Sequence, residues 1–172
     1  MKRILAALLA MILCIPLCAP ALAAESYTAR TTLAGSTQAQ VTNIEIAASR
    51  IDGCVVAPGA RFSFNDVVGP RTKAYGFQTA VNGRGVKVTG GGVAQVASAL
   101  WLAVKNLDCV AVVEKSTYGS RYNQSYVRSS NDAILTDYSA DTDFSFRNIG
   151  SKPLTIAVYV SGDALCCEIH QG

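Results

Sequence analysis

Histidine is almost absent from this chain: its single copy, His170, stands among 172 residues. That leaves no imidazole before residue 170 to act as a general base or to ligate a metal. No two cysteines have the two-residue spacing of a zinc or redox motif, so neither a metal site nor a cofactor is expected. Charge is sparse too, at 16% of residues, with 15 basic against 12 acidic side chains and no run of one sign. Nucleic acid is recognised by clustered basic groups, and none are clustered here. Beyond the first two dozen residues no apolar run approaches the roughly 20 residues of a membrane-spanning helix. No internal repeat or low-complexity linker marks a boundary, which favours one domain.

What is there begins with a leader. Lys2 and Arg3 precede an apolar stretch from Ile4 to Leu17, and Ala21 and Ala23 have the spacing of a signal-peptidase site. The expectation is a secretory signal peptide over residues 1–23 and a single domain over 24–172, a length of 149 residues that can bury a full core. The alternative is an uncleaved membrane anchor from Ile4 to Ala24, although Pro16 and Pro20 interrupt it. A lipidated cysteine is disfavoured, because bulky Leu13 and Leu17 precede Cys14 and Cys18. Without Lys2 and Arg3 the balance is 13 basic to 12 acidic groups, a net charge of +1. The product is expected to be secreted or held at the cell envelope. Export makes Cys54, Cys109, Cys166 and Cys167 candidates for disulfides. A bridge between neighbours is strained, so the expected pattern joins Cys54 and Cys109 to Cys166 and Cys167 in some order, with four buried thiols as the alternative.

Apolar spacing predicts two main helices, at about 37–52 and 93–106, the first stopped by Gly53. Alternation at Arg61-Phe62-Ser63-Phe64 predicts a short strand, and the continuous β-branched run from Cys109 to Val113 predicts a buried one. Residues 75–92 hold six of the 14 glycines and should be mostly loop, with short strands around Val81 and Val86 to Val88. At the C-terminal end Phe144 and Phe146, Leu154 to Val160 and Leu165 to Ile169 predict an antiparallel meander. The predicted class is α+β, two helices packed on a mostly antiparallel sheet.

One segment stands out chemically. Gly90-Gly91-Gly92-Val93 leads into an apolar helix, and a helix start offers unpaired amide donors to an anion or a thiolate. Ala94 occupies the place where a reactive side chain would be best activated. Periodicity by itself reads this segment as a core helix with a tight turn before it.

The ordered series Asn43-Ile44, Pro58-Gly59, Phe62-Ser63-Phe64-Asn65, Gly69-Pro70-Arg71-Thr72, Gly76-Phe77, Gly90-Gly91-Gly92-Val93, Gln95-Val96 with Ser98, Leu100, Glu114, Tyr126-Val127 and Asp132-Ala133 resembles the VanW-like family. That family is named for an accessory gene of vancomycin-resistance clusters. The resemblance runs from about Thr28 to Val160 and implies an exported or envelope-associated domain, of a kind often found beside peptidoglycan-binding modules. In the family pattern a cysteine commonly stands in the place of Ala94, and histidine commonly follows the glutamate that matches Glu114. A thiolate and an imidazole together suit nucleophilic acyl chemistry on wall peptides. This chain has neither, reading Lys115-Ser116-Thr117-Tyr118-Gly119 after Glu114. The resemblance therefore implies a pseudoenzyme, a non-catalytic module that binds peptidoglycan, a wall peptide or a glycan in front of the glycine loop.

Two other functions stay open. A wall-peptide enzyme would use Ser98, one helical turn after Ala94, or a carboxylate pair of Glu114 and Asp132, but a serine without a base is a weak nucleophile. An interaction partner of an active relative is the third reading. The candidate ligand-binding residues are Asn65, Arg71, Gly91, Gly92, Gln95, Ser98, Glu114, Tyr126 and Asp132. Each also has a plainer role: Asn65 and Arg71 would pin loops, Asp132 a turn. Tyr118, Tyr122 and Tyr126, with Tyr75 and Trp101, would line a groove or simply cap the sheet and core.

Overall fold

The computed structural model describes residues 25–122 and 125–172; the expected leader at 1–23 lies outside them. The chain is α+β. Its elements are β1 (Glu25–Thr32), α1 (Gln38–Ile51), β2 (Val55–Val56), β3 (Arg61–Ser63), α2 (Phe64–Val68), β4 (Thr79–Val81), β5 (Lys87–Thr89), α3 (Ala94–Val104), β6 (Val110–Thr117), β7 (Ile134–Leu135), β8 (Phe144–Asn148), β9 (Leu154–Ser161) and β10 (Ala164–Gln171).

The strands form two antiparallel sheets of four, ordered β1-β10-β9-β2 and β3-β8-β6-β7, and a separate β4-β5 hairpin. Helix α1 packs on β9, and α3 packs on β1 and β10. Both helices bury their apolar stripes in one core with the two larger sheets, through Ile44, Ile51, Val96 and Leu100 against Ile156, Leu165 and Ile169, with Phe62, Phe144 and Phe146 from the second sheet. Burying each such side chain stabilises by about 1.5–3 kcal/mol relative to leaving it exposed.

The two helices start differently. Thr37 caps α1: its hydroxyl accepts from Gln40 N, while Gln40 Oε1 accepts from Thr37 N at 2.8 Å. Helix α3 has no side-chain cap and no acid in its first turn. Its start is held instead by the tight packing of the glycines before it.

Three expectations need correction. The alternation ending at Phe64 is not one strand: β3 stops at Ser63, whose hydroxyl accepts from Asp66 N and starts α2, so Phe62 and Phe64 are both buried from different elements. Strand β6 is not buried along Cys109 to Val113: Val112 and Val113 are 45% and 51% exposed, where the pairing with β8 shifts register between Val112 and Glu114. The four cysteines form no cross-link. Cys167 points into the core with Leu165 and Ile169, Cys166 faces the other side of β10, and Cys54 and Cys109 only flank the core. One expectation is refined. The three C-terminal strands are present, but the chain changes sheet after Asn148, so β8 pairs with β3 and β6 while β9 and β10 form a hairpin extended by β1. That first strand has no signal in the apolar pattern: among its described residues Ala29 and Thr31 are buried, and Leu33 follows just after it.

Strand pairing also sets Arg61-Phe62-Ser63 against Ser145-Phe146-Arg147 in register, with Phe62 stacked on Phe146 at 5.1 Å. This places Ser63 and Asn65 beside the start of β8, where the candidate site begins.

Candidate functional site

The glycine triplet is built by close packing. A Cβ on Gly91 would lie 2.2 Å from the carbonyl oxygen of Ala80 in β4, and one on Gly90 would lie 2.6 Å from the Arg71 side chain. Gly92 has φ +103° and passes against the backbone of Gln40 in α1. Only a residue without a side chain fits there. Asn43 of α1 ties the layers together, its Nδ2 donating to Gln78 O and Gly91 O and its Oδ1 accepting from Gln78 N at 2.7 Å. Gln95 does the same on the other side, donating through Nε2 to Thr31 Oγ1 and Thr32 O of β1.

Beside the triplet lies a cleft of about 540 Å³, bounded by Arg71, Thr72, Arg84, Gly90, Gly92, Val93, Ala94, Tyr118 and the segment Leu135 to Ala140. The walls carry two arginines and one acid, Asp137. Arg71 is half-buried. Its Nη1 donates to Asn65 Oδ1 at 2.7 Å, its Nη2 reaches Thr136 Oγ1 at 3.5 Å, and the guanidinium lies over the Phe64 ring at 5.5 Å. Burial pulls its pKa down to about 10, against the opposing pull of Asp137 and Asp143, and it stays charged at neutral pH. No carboxylate pairs with it within salt-bridge distance among the described residues.

Asn65 is itself held by a residue that sequence reading missed. Asp143 is buried, and its carboxylate accepts from Ser63 Oγ at 2.6 Å, from Asn65 N at 2.8 Å and from Phe144 N at 2.8 Å. Asn65 also donates through Nδ2 to Thr142 O. The result is a relay from Asp143 through Asn65 to Arg71 that fixes the guanidinium in the cleft. A lone aspartate before an alternating run gives almost no sequence signal for such a role. Gly83 was missed as well: a Cβ there would stand 2.7 Å from the Tyr118 ring, so this glycine admits the tyrosine.

The other candidates divide between two places. Ala94 is buried at the cleft wall, in a small cluster with Tyr118, Val127 and Ala133. Tyr118, Tyr122 and Tyr126 run behind it in series, with ring centroids 6.4 and 5.4 Å apart. Within Lys115 to Gly119, Tyr118 shares the buried cluster of Ala94, whereas the Lys115 ammonium lies over the Trp101 ring at 4.1 Å. Burial raises the pKa of Tyr118, so its phenol is no base at neutral pH. Gln95 and Tyr126 line an adjoining opening of about 260 Å³ with Ser36 and Ser125. Burial raises the pKa of Tyr126 too, opposed by the Ser98 hydroxyl beside it.

Ser98 is fully buried. Its hydroxyl donates to Ala94 O and accepts from Ile134 N, both at 2.9 Å, which joins α3 to β7 and leaves nothing to present to a substrate. Glu114 and Asp132 are not a working pair. Glu114 Oε1 accepts from Asp143 N at the start of β8, while Asp132 accepts from Trp101 Nε1 at 2.8 Å and from Lys105 Nζ at 3.1 Å, pinning the far end of α3. Tyr75 stands away from the cleft, beside Arg50, and Trp101 packs edge-on against Phe144 in the core.

Sequence comparison gives the family context. The family profile described as VanW like protein matches residues 39–170. The chain is also 33% identical over 131 residues to the "Uncharacterized protein YoaR" of Bacillus subtilis (strain 168), a stretch that covers 74% of this chain and 42% of that protein. The chain thus spans less than half the length of that relative. No solved structure matches.

Proposed function

The chain belongs to the VanW-like family, and from that premise we propose that it is an exported cell-envelope protein whose cleft beside the glycine triplet binds a wall component, a peptide or a glycan, without covalent catalysis. One observation carries this reading. The position where the family pattern commonly has cysteine is a methyl group, Ala94, on the wall of a cleft whose lining includes no imidazole and no thiol.

The alternatives within the same walls are weaker. Ser98 is inaccessible and already bonded on both sides, and the carboxylates of Glu114 and Asp132 hold scaffold in separate places. A binding function keeps everything else: a charged group on the floor, hydroxyls from Thr72, Thr89 and Ser139 on the walls, and aromatic surface at Tyr118 and Tyr138. Incubation of the protein with purified peptidoglycan, followed by sedimentation and analysis of the soluble fragments, tests it. The expected result is protein in the pellet with an unchanged fragment profile. Protein wholly in the supernatant refutes the binding, and new fragments refute the absence of catalysis. Crosslinking that finds only another envelope protein would turn the cleft into a partner-binding surface.

A further inference from the structure

Arg71 is over-equipped for a residue that merely pins a loop. A guanidinium has five N–H donors in a fixed fork, and among the described residues only the bonds to Asn65 and Thr136 engage it, the second a long one. A half-buried charge with spare donors facing a cleft is a place where a group of opposite sign can bind. Neither nearby acid lies within salt-bridge distance of Arg71. Asp143 takes its bonds from Ser63, Asn65 and Phe144 and is the acid that faces Arg61 at 3.8 Å, while Asp137 Oδ1 accepts the amides of Ser139 and Ala140. Meanwhile Phe64 backs the guanidinium plane and Asn65 holds one edge of it. In the same cleft, the backbone N–H groups of Gly92 and Ala94 have no partner among the described residues. Arg71, Gly92 and Ala94 line one cavity large enough for a small ligand.

We propose that this cleft is a carboxylate-binding site and that Arg71 determines its specificity, forming a forked pair with a carboxylate of the bound wall component. Guanidinium and carboxylate match in geometry, each offering two parallel contacts, which a neutral amide or hydroxyl cannot return. The inference rests on the wall-binding reading and deepens it by naming the group recognised. A peptide terminus and an acidic sugar carry the same chemistry, so the experiment separates them.

Soluble fragments of digested peptidoglycan are divided into a peptide-only and a glycan-only fraction, and each is compared with the same fraction after carbodiimide amidation with methylamine. Binding to the full-length chain is measured by calorimetry. Unmodified fragments of one fraction should bind about tenfold to a hundredfold more tightly than their amidated counterparts, as loss of a charge-assisted hydrogen-bond pair implies. Arg71→Gln should abolish that ratio, and Arg71→Lys should keep part of it, because charge remains without the fork. Thermal melting of each variant checks folding, and the ratio is read on the folded protein. A purely structural arginine would lower affinity for both forms alike and leave their ratio unchanged, which would overturn the proposal. Equal binding of amidated and unmodified fragments to the natural chain would overturn it while the wall-binding reading stands. Binding by no fragment would overturn both.

Discussion

The two ends of α3 carry similar chemistry and use it in opposite ways. At the far end Asp132 is saturated by its own chain, with Trp101 Nε1 and Lys105 Nζ on its carboxylate and Lys115 stacked over the same indole. At the near end Arg71 and the amides of Gly92 and Ala94, residues that line a cleft of about 540 Å³, keep donors unused among the described residues. Charge that only holds scaffold is completed within the fold. Charge left incomplete beside a cavity is what a ligand can complete, and the difference separates the residues of this family pattern that shape the protein from those that face outward.

Breaking the support of the near end should have the largest effect. Asp143→Ala removes the acceptor of three buried donors and the anchor of Asn65, and should cost about 3–5 kcal/mol in denaturant unfolding. A loss below 1 kcal/mol would show that the relay to Arg71 is not built on this carboxylate. Gly91→Ala drives a methyl into the Ala80 carbonyl and should cost about 1–3 kcal/mol, read in the same way. Ser98→Ala orphans the buried amide of Ile134 and should cost about 1–3 kcal/mol, with sedimentation on peptidoglycan unchanged. Asp132→Asn, at the saturated far end, weakens a partly exposed pair with Lys105 and should cost about 1 kcal/mol or less, again without effect on binding.

The mildest change sharpens the comparison most. Ala94→Cys should leave stability within about 1 kcal/mol, yet the new thiol should react with a maleimide at neutral pH ahead of Cys54 and Cys167, both of which burial pushes above the ordinary thiol range. The helix start and the Arg71 charge favour a thiolate at residue 94. Labelling of residue 94 no faster than that of the others would mean the cleft no longer activates anything placed there.

Much of the fold was legible because it rests on local periodicity. The stripe of Val41, Ile44, Ala48 and Ile51 found α1, and the apolar run after Val93 found α3, each to within a residue or two of the observed ends. What failed did so where a buried residue came from an unexpected element. Phe64 looks like the continuation of a strand but opens a helix under a serine cap, and β1 has too few apolar side chains to register. The even number of cysteines suggested bridges, yet Cys166 and Cys167 lie on opposite faces of a central strand. At the site, Asn65, Arg71, Gly92 and Ala94 were named from sequence and do gather, whereas Glu114, Ser98 and Asp132 turned out to be structural.

By itself the sequence determined the α+β class, the two main helices, and the family with its missing thiol and imidazole, since these depend on residue type and spacing along the chain. Tertiary structure alone decided which polar groups are spent and which are spare. That assignment turns on partners distant in sequence, such as Asp143 for Asn65, 78 residues apart, and Ile134 for Ser98, 36 apart. Hydrogen-bond saturation is a property of three-dimensional neighbours, and no pattern along one chain encodes it.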